Sequence, residues 1–473
     1  MNTMHQPPFT SRREFLQKSA LGFGSLALSG LFSQQNAQAA ALPGLPHFAP
    51  KAKRVIFMFM AGGPSHMDLF DEKPELVKYD NKPIPPELVS INLRNGKMKV
   101  GPKTLGVGTV GQFKQWGQSG LGISTMLPHM AALADDLCLV RSMHADNQSH
   151  PTAVQQWHTG SSVLPRPSMG AWINYGLGSE NENLPGFVVV TPPMDSSLNC
   201  GNIFLPTKHR GIVLRDPSSP SSEKIRYLGT TGQNREQQKR QLSLVEKLNR
   251  QHLGDVGGKD QMIEGMISSF EMAFRMQMEA PEVLDTSKET PETLALYGIG
   301  EEPTDAFGRQ CLLARRLCES GVRFVQVSAP DNSWDHHTDI HKKLPESCLA
   351  ADKPTAGLLI DLKRRGLLKD TLVIWGGEFG RTPCSESYGF GRNHNPYAFT
   401  TVLAGGGIKG GLAYGTTDIS GSESIENRVH IHDLHATILH QLGINHEKLT
   451  YRFQGRDFRL TDVSGHVVQD ILA

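Results

Sequence analysis

Arg54-Val-Ile-Phe-Met-Phe-Met60, followed directly by Ala61-Gly-Gly-Pro-Ser-His66-Met-Asp68, is the stretch that decides the fold class. An unbroken apolar run that ends at Gly-Gly is typical of a central parallel strand buried on both faces. In open sheets of this kind, ligands bind beyond the carboxyl ends of the strands. We therefore expect the polar residues after this strand, His66 and Asp68, to lie beside a functional cleft.

Strand and helix signals alternate along much of the remaining chain. Further strands are predicted over 137–142, 186–191, 323–328, 371–375 and 399–404, and helices over 128–136, 305–320, 356–366 and 434–442. This alternation implies an α/β fold with a mostly parallel central sheet flanked by helices. Residues 222–300 differ, because charged and Met-rich amphipathic patterns predict a helical insertion whose methionines pack on the core. Residues 40–473 are expected to form a single domain that carries this insertion.

The first 39 residues have the pattern of an export signal. Ser11-Arg-Arg-Glu-Phe-Leu-Gln-Lys18 contains the paired arginines of a twin-arginine signal, a weakly apolar segment follows, and Ala37-Gln-Ala39 resembles a signal-peptidase site. An amphipathic first helix is the alternative, but it does not explain the paired arginines. We expect a mature protein that begins at Ala40 in the periplasm or outside the cell. No transmembrane anchor is expected after signal removal, because no later apolar run is long enough to span a bilayer.

Charge and cysteine content exclude several classes of protein. The formal charge is +1 for the full chain and about −1 once residues 1–39 are removed, so no nucleic-acid partner is expected. The six cysteines are scattered and form no C-x-x-C pair, which argues against a disulfide scaffold and against a cysteine zinc site. One or two disulfide bonds remain possible in an oxidising compartment.

Imidazoles and carboxylates are concentrated where predicted strands end. Trp334-Asp-His-His-Thr-Asp-Ile-His341 follows the strand at 323–328, Glu378 follows the strand at 371–375, and His394 lies in a Gly-Arg-Asn-His-Asn-Pro loop. Together these residue types suit zinc, manganese or iron. A solvated loop that caps a helix is the alternative for the first segment. The sequence therefore predicts a divalent-metal site whose candidate ligands are Asp68, Asp335, His337, His341, Glu378 and His394.

Two further residues are candidates for catalysis. Ser149 is a possible nucleophile that His150 or a bound cation would activate, although it also stands where a helix N-cap is expected before Pro151. Arg381 is placed to hold an anionic substrate with two hydrogen bonds, or alternatively to pair with Glu378 across a turn. Neither a G-x-S-x-G motif nor a phosphate-binding glycine loop is present, which argues against a serine hydrolase and against a nucleotide-binding enzyme.

Five short motifs together resemble the alkaline phosphatase and sulfatase superfamily, and most closely its exported, sulfatase-like branch known as the domain of unknown function family 1501. The resemblance extends from Arg54 to about Arg459. The motifs that carry it are Ala61-Gly-Gly-Pro-Ser-His-Met-Asp68, Trp334-Asp-x-His337, Glu378-Phe-Gly-Arg-Thr-Pro383, Gly391-Arg-Asn-His394 and His435-Ala-Thr-Ile-Leu439.

The resemblance implies an alkaline phosphatase-like sandwich that holds one or two divalent ions. By position, Asp335, His337 or His341, and His394 would hold one ion, while Asp68, Glu378 and Ser149 would approach the other. The chain departs from the family pattern in two places. Phe379 stands where an Asp-His pair would supply an imidazole, and Ala153 stands where the sulfatase signature has an arginine. The first departure removes a ligand of the second metal site, and the second departure argues against sulfatase activity.

The resulting expectation is an exported, sulfatase- or phosphatase-like hydrolase that uses zinc, manganese, iron or calcium. Its substrate would be a phosphate or sulfate ester of an anionic small molecule or polysaccharide. Two alternatives remain open. One is a non-catalytic envelope binding protein that keeps the fold, and the other is a metallohydrolase that uses metal-bound water without a covalent nucleophile.

Overall fold

The computed structural model describes most of the chain after the predicted signal. It covers residues 42–95, 100–101, 103–191, 199–214, 280–329, 333–385 and 390–473, together with helical positions 240, 243–244, 247–248, 251, 271–272 and 275–276. The predicted signal at 1–39 and most of the predicted insertion at 222–300 lie outside these residues. Within the insertion, Met276 is buried in the core and Met272 packs against it.

A nine-stranded sheet forms the centre of the molecule. Its strands, labelled here in chain order, are β1 Arg54–Phe59, β2 Leu137–His144, β3 Phe187–Val190, β4 Ile212–Leu214, β5 Phe324–Ser328, β6 Thr371–Gly376, β7 Phe399–Ala404, β8 Leu412–Tyr414 and β9 Val429–His430. The spatial order is β8-β2-β7-β6-β1-β5-β3-β4, and β9 pairs with β2. β7 runs antiparallel to β2 and β6, and every other pairing in the sheet is parallel.

The central position of β1 follows from its sequence. Val55, Phe57 and Phe59 belong to one hydrophobic core, whereas Ile56 and Met58 belong to a second core on the opposite face. Successive side chains of a strand point to opposite faces, so a strand with helices on both sides must be apolar throughout. This explains why β1 shows no alternation of polar and apolar residues.

Helices cover both faces of the sheet. Among the described residues, the α-helices include His66–Leu69, Pro74–Val77, Ile91–Asn95, Pro128–Ala131, His150–Thr159, Met169–Leu177, Pro291–Leu296, Asp305–Glu319, Ile340–Arg364 and Ile431–Gln441. Single 3₁₀ turns lie at Pro86–Leu88, Ala134–Asp136, Thr207–His209, Thr286–Lys288, Leu368–Asp370 and Gln469–Ile471. Two-stranded ribbons pair Phe113–Trp116 with Leu121–Ser124, Gly380–Arg381 with His394–Asn395, Thr416–Thr417 with Ser424–Glu426, and Tyr451–Phe453 with Arg456–Phe458.

Each of the two cores lies between the sheet and its own set of helices. The core that contains Ile56 and Met58 includes buried residues of Asp305–Glu319 and Ile340–Arg364. The core that contains Phe57 includes residues of His150–Thr159, Met169–Leu177 and Ile431–Gln441. The predicted α/β fold, with a mostly parallel sheet between helices, is therefore confirmed.

Two local predictions need correction. The predicted helix at 356–366 is in fact Ile340–Arg364, a helix of 25 residues that continues through Pro345 and Pro354. Residues 71–120, for which no helix or strand is predicted above, contain three short helical segments and one strand of a ribbon. In both places, tertiary packing overrides a local signal that usually breaks helices.

No helix among the described residues is long and apolar enough to cross a membrane. All six cysteines fall within the described residues, and each is a buried, free thiol. The open possibility of disulfides is therefore not realised in this structure.

Candidate metal centre

Four side chains converge at the carboxyl edge of the sheet. His150, Asp335, His337 and His394 each offer a ligand atom, and these atoms all lie within 4.8 Å of one another. Among the described residues, this is the one group of at least three His, Cys, Asp or Glu side chains close enough to hold a metal ion. Three imidazoles and one carboxylate thus form a compact site.

The sheet topology explains why residues so distant in sequence meet. His150 begins the helix that follows β2, and Asp335 and His337 follow β5. His394 lies in the short ribbon that follows β6. Because β2, β5 and β6 run in the same direction, their carboxyl ends point to the same edge of the sheet. The position that the sequence predicted for the site is thus the position at which these four residues lie.

The distances between ligand atoms in the cluster are close to those expected around one shared metal ion. The Nε2 atoms of His337 and His394 are 2.9 Å apart. The Asp335 Oδ1 atom is 2.9 Å from the first of these nitrogens and 3.3 Å from the second. Two nitrogens bound to one tetrahedral zinc at ~2.05 Å would be about 3.3 Å apart. If the two imidazole nitrogens moved apart by a few tenths of an ångström, an ion would therefore fit between them.

Two of the imidazoles are oriented by their second ring nitrogen. His394 Nδ1 lies 2.7 Å from the Gln148 carbonyl oxygen, and His150 Nδ1 lies 2.6 Å from Glu378 Oε1. An Nδ1–H that donates to a carbonyl or carboxylate leaves the Nε2 lone pair for a metal, and this arrangement is common around metal-bound histidines. The residues present therefore fit a divalent ion.

Glu378 is held in place from the other side. The Gly62 N–H donates to both of its carboxylate oxygens, at 3.0 and 3.2 Å, and the side chain is buried. Glu378 therefore lies behind His150 as its hydrogen-bond acceptor and is not one of the four clustered residues. Its predicted role as a direct ligand is not the role that this geometry favours.

Arg381 also lies behind the cluster. Its buried guanidinium donates to Asp335 Oδ1 at 2.6 Å and to the main-chain oxygens of Gly62, Gly63, Trp334 and Arg392. With these donors directed at protein oxygens, Arg381 orients the carboxylate of Asp335. Its predicted contact with an anionic substrate stays a prediction.

The charges around Asp335 and His150 determine their protonation. Burial alone would raise the pKa of Asp335, but hydrogen bonds from His150, His337 and His394 and the charge of Arg381 hold that pKa well below its usual range. Burial would lower the pKa of His150, yet the hydrogen bonds to Asp335 and Glu378 raise it to about 9. The pKa of His394 is lowered, mainly by burial. Asp335 is thus fully ionised, as a metal ligand must be, whereas His150 would release a proton when an ion binds.

Glycines allow the site segments to approach each other. A Cβ at Gly62, whose φ is +112°, would lie 2.6 Å from the main-chain nitrogen of Asp335. A Cβ at Gly391 would overlap the main chain of His337. Both positions therefore need glycine for close approach, and Gly62 needs it for its backbone conformation as well.

Phe379 packs against the cluster where the family pattern has an imidazole. Its ring stacks on His394 with the ring centroids 4.4 Å apart, and it lies 4.9 Å from the His150 ring. The side chain is buried. The position supplies a hydrophobic wall, so it adds no ligand for a second ion.

Asp68 is also removed from the cluster. Its two oxygens accept from Arg392 Nε at 2.8 Å and Nη2 at 2.9 Å, and both side chains are fully buried. The Ser65 hydroxyl and the Val110 N–H donate to the same carboxylate. The structure thus gives Asp68 a guanidinium partner, and the cluster contains ligands for a single ion.

The remaining predicted residues lie close to the cluster in sequence. His341 is exposed in the first turn of Ile340–Arg364 and is not part of the cluster. Ser149 occupies the N-cap position of His150–Thr159, although its hydroxyl makes no capping hydrogen bond. Its role as a nucleophile stays a prediction.

His150 is the residue whose role sequence reasoning missed. The sequence suggested it only as a base for Ser149, because its partner Glu378 is 228 positions away. The available signal was its place in the segment that follows β2, at the same sheet edge as the other ligands. Arg392 was overlooked for a similar reason, since its partner Asp68 is 324 positions away.

Comparison with solved structures finds partial structural similarity at low sequence identity. One is the lipoteichoic acid synthase LtaP from Listeria monocytogenes, with 11% identity, a TM-score of 0.33, and coverage of 89% of this chain and 78% of that one. Another is the PsFucS1 sulfatase from Pseudoalteromonas sp., with 12% identity, a TM-score of 0.34, and coverage of 90% and 72%. A third is the alkaline phosphatase from the Antarctic bacterium TAB5, with 10% identity, a TM-score of 0.29, and coverage of 84% and 99%. No functional conclusion rests on similarities of this size.

Sequence comparison is more decisive about the family. No curated protein matches the chain. One family model, described as "Protein of unknown function (DUF1501)", matches residues 52–472 and so includes all four clustered residues. The chain therefore belongs to this family.

Proposed function

We propose that the protein is an exported, metal-dependent hydrolase of phosphate or sulfate esters. The observation that supports this most directly is the cluster of His150, Asp335, His337 and His394, with the imidazoles of His150 and His394 oriented by acceptors behind them. Its position at the carboxyl edge of a mostly parallel sheet is where α/β enzymes bind their ligands. Export rests on the twin-arginine pattern at residues 11–18.

The donor set narrows the choice of metal. Three imidazoles and one carboxylate suit zinc, manganese or iron. Calcium prefers six to eight oxygen ligands, so this donor set favours zinc, manganese or iron over calcium. A bound ion would supply Lewis-acid polarisation of the ester oxygen and would lower the pKa of a coordinated water.

The protein residues would supply orientation and charge. Glu378 keeps His150 in one tautomer, and Arg381 keeps the Asp335 carboxylate directed at the cluster. Phe379 covers one side and excludes water from the imidazoles that it contacts. Because Ser149 directly precedes His150, its hydroxyl is the candidate nucleophile within this chain.

A specific observation favours a second candidate, a non-catalytic binding protein. Four protein ligands would complete a tetrahedral zinc site, whereas catalytic zinc sites usually keep one position open. The Arg381 guanidinium, which was expected from the sequence to hold an anionic substrate, is directed at protein oxygens. In this case the ion would stabilise the fold of the sheet edge.

Hydrolysis of 4-nitrophenyl phosphate and 4-nitrophenyl sulfate separates the two candidates. The metal-loaded wild type should release nitrophenolate from at least one ester, and Asp335→Asn should reduce that rate by about 100-fold or more. Asp339→Asn is the matched control, because Asp339 is largely exposed and has φ of 54°, a conformation that asparagine tolerates. Its rate should equal that of the wild type.

Ser149→Ala tests the nucleophile separately. A rate that falls to background indicates attack by the serine hydroxyl, whereas a rate within about threefold of the wild type indicates attack by water. If the metal-loaded wild type hydrolyses neither ester and no other phosphate or sulfate ester, the hydrolase proposal is wrong and the binding role takes its place.

A further inference from the structure

A cavity of about 470 Å³ opens beside the metal centre, on the side of the sheet that faces Ile340–Arg364. This volume is within the range of pockets that hold small organic ligands. The residues that line it come from two helices and from the segment after β5. They are Phe307, Ala329, Ser333, Trp334, Asp335, His336, Lys343, Glu346, Ser347, Ala350 and Ala351.

The lining separates into an apolar part and a polar part. Phe307, Ala329 and Trp334 are buried members of the hydrophobic core, and Ala351 belongs to it as well. Lys343, Glu346 and Ser347 lie on the first turns of the helix, where they are exposed or half-buried. A ligand in this cavity would thus contact hydrocarbon on one side and a polar edge on the other.

The polar edge is not built for an anion. Lys343 and Glu346 have opposite charges, and Lys343 Nζ already donates to Thr338 Oγ1 at 2.8 Å. The Ser333 hydroxyl is buried and has no hydrogen-bond partner among the described residues, so it offers one free polar group inside the lining. This combination suits an uncharged organic group with one or two hydrogen-bonding atoms.

The cavity and the metal centre share a residue. Asp335 contributes to the cavity lining and also belongs to the cluster of four ligands. Its neighbour Trp334 has a ring that packs in the apolar part, with a centroid 5.6 Å from that of Trp375. Asp335 is therefore the residue that connects the cavity to the proposed ion, and His150, His337 and His394 are not among the lining residues.

We propose that this cavity binds the organic part of the substrate ester, and that this part is an uncharged aromatic or short aliphatic group. The inference rests on the proposed function for the identity of the ester but has its own test as a binding site. It names a substrate class, aryl or small alkyl phosphates or sulfates, in place of highly charged polysaccharide chains. Trp334 and Phe307 would contact the organic group, and the anionic head would lie towards Asp335 and the ion.

Calorimetric binding of substrate analogues that cannot be hydrolysed tests the proposal without any turnover. The probes are phenylphosphonate and benzenesulfonate, each compared with its methyl counterpart, and the protein is the metal-loaded mature chain. In the wild type, the better aryl probe should bind about tenfold or more tightly than its methyl counterpart, because only the ring reaches the apolar part.

Ala350→Phe should remove this preference by filling the cavity. Ala350 is half-buried on the helix surface, so the larger ring projects into the cavity with little disturbance of the core. The matched control is Leu349→Phe at the neighbouring position, which is 61% exposed and does not line the cavity. The control should keep the aryl preference and the metal content of the wild type.

The outcomes distinguish this inference from the proposed function. Equal affinity of the wild type for aryl and methyl probes, or no binding of either, overturns the cavity assignment, and this test does not depend on the folding of any variant. An aryl preference that survives in Ala350→Phe also overturns it. An aryl preference that is lost in Ala350→Phe supports the cavity as a binding site even if no ester is hydrolysed, in which case the proposed function alone fails.

Discussion

Replacing Asp68 by asparagine should destabilise the protein while leaving its metal content unchanged. Asp68 and Arg392 are both fully buried and share two hydrogen bonds, at 2.8 and 2.9 Å. The Asp68→Asn change removes the negative charge and leaves the guanidinium without its counter-ion in the interior. Breaking a buried ion pair on one side typically costs about 3–5 kcal/mol.

The loss can be divided among the contacts of Asp68. Besides Arg392, the carboxylate accepts from Ser65 Oγ at 2.5 Å and from the Val110 N–H at 2.9 Å. Asparagine keeps one oxygen, so one or two of these four contacts survive. Since hydrogen bonds to charged groups are worth ~1.5–3 kcal/mol each, losing two of them costs about 3–6 kcal/mol, in agreement with the cost of breaking the ion pair. For a chain of this length, such a loss lowers the melting temperature by roughly 3–6 °C.

Thermal unfolding and elemental analysis of the same preparation check this prediction. The double variant Asp68→Asn/Arg392→Met should recover part of the lost stability, because it removes both charges together. If Asp68→Asn instead keeps the wild-type melting temperature but loses the metal, then Asp68 is a ligand, as the family pattern suggested. That result would refute the assignment of Asp68 to the ion pair.

Further predictions concern the acceptor behind His150, a buried histidine and a close-packed glycine. Glu378→Gln should weaken metal affinity about 10- to 100-fold in a chelator competition, since the loss of the Glu378 carboxylate leaves His150 less firmly oriented; an unchanged affinity would contradict this role. Burial lowers the pKa of His435 to about 3, so the unfolded chain binds a proton below pH ~6.5 that the folded chain refuses. The free energy of unfolding should therefore decrease as the pH falls from about 6.5 towards 3, by about 2 kcal/mol at pH 5 from His435 alone. In His435→Gln, the free energy of unfolding measured with denaturant should depend less steeply on pH in this window. An equally steep dependence would contradict the role of His435. Gly391→Ala should reduce both soluble yield and metal content, because a Cβ would overlap the main chain of His337; wild-type metal content in a well-folded variant would contradict the close approach.

The central strands could be predicted because burial on both faces leaves a direct mark on the sequence. β1 and β6 are apolar along nearly their whole length and are closed by glycine pairs. The antiparallel direction of β7 left no such mark. Residues 399–404 are as buried as those of the parallel strands, and nothing in a fully buried strand shows which way it runs.

The long helix Ile340–Arg364 shows a different limit of the sequence. The predicted helix begins only at residue 356, after Pro354, because a proline inside a helix removes one hydrogen bond and crowds the preceding turn. The structure continues the helix through Pro345 and Pro354, with Leu344, Cys348 and Ala351 buried against the core. The burial of these side chains offsets the free energy that the two prolines cost the helix. This stabilisation depends on tertiary packing, so it cannot be seen in the local sequence.

The candidate site was partly predictable for the same reason that the sheet was. Asp335, His337 and His394 follow strand signals, so their convergence at one edge could be inferred from topology alone. The roles of Glu378, Arg381 and Asp68 could not, because each depends on a partner far away in sequence. Glu378 pairs with His150, Asp68 with Arg392, and Arg381 with Asp335. The sequence shows that a charged side chain is either a metal ligand or the partner of another side chain. Only the structure shows which of these two roles it has.

The most direct test of the account is the metal content of the purified mature protein beside two single variants. His337→Ala removes a clustered ligand, whereas His341→Ala removes an exposed histidine of the same segment that lies outside the cluster. We expect one equivalent of zinc, manganese or iron in the wild type and in His341→Ala, and a content near zero in His337→Ala. A wild type that binds no divalent metal after loading, or equal loss in both variants, would contradict the assignment of His150, Asp335, His337 and His394 as the metal centre.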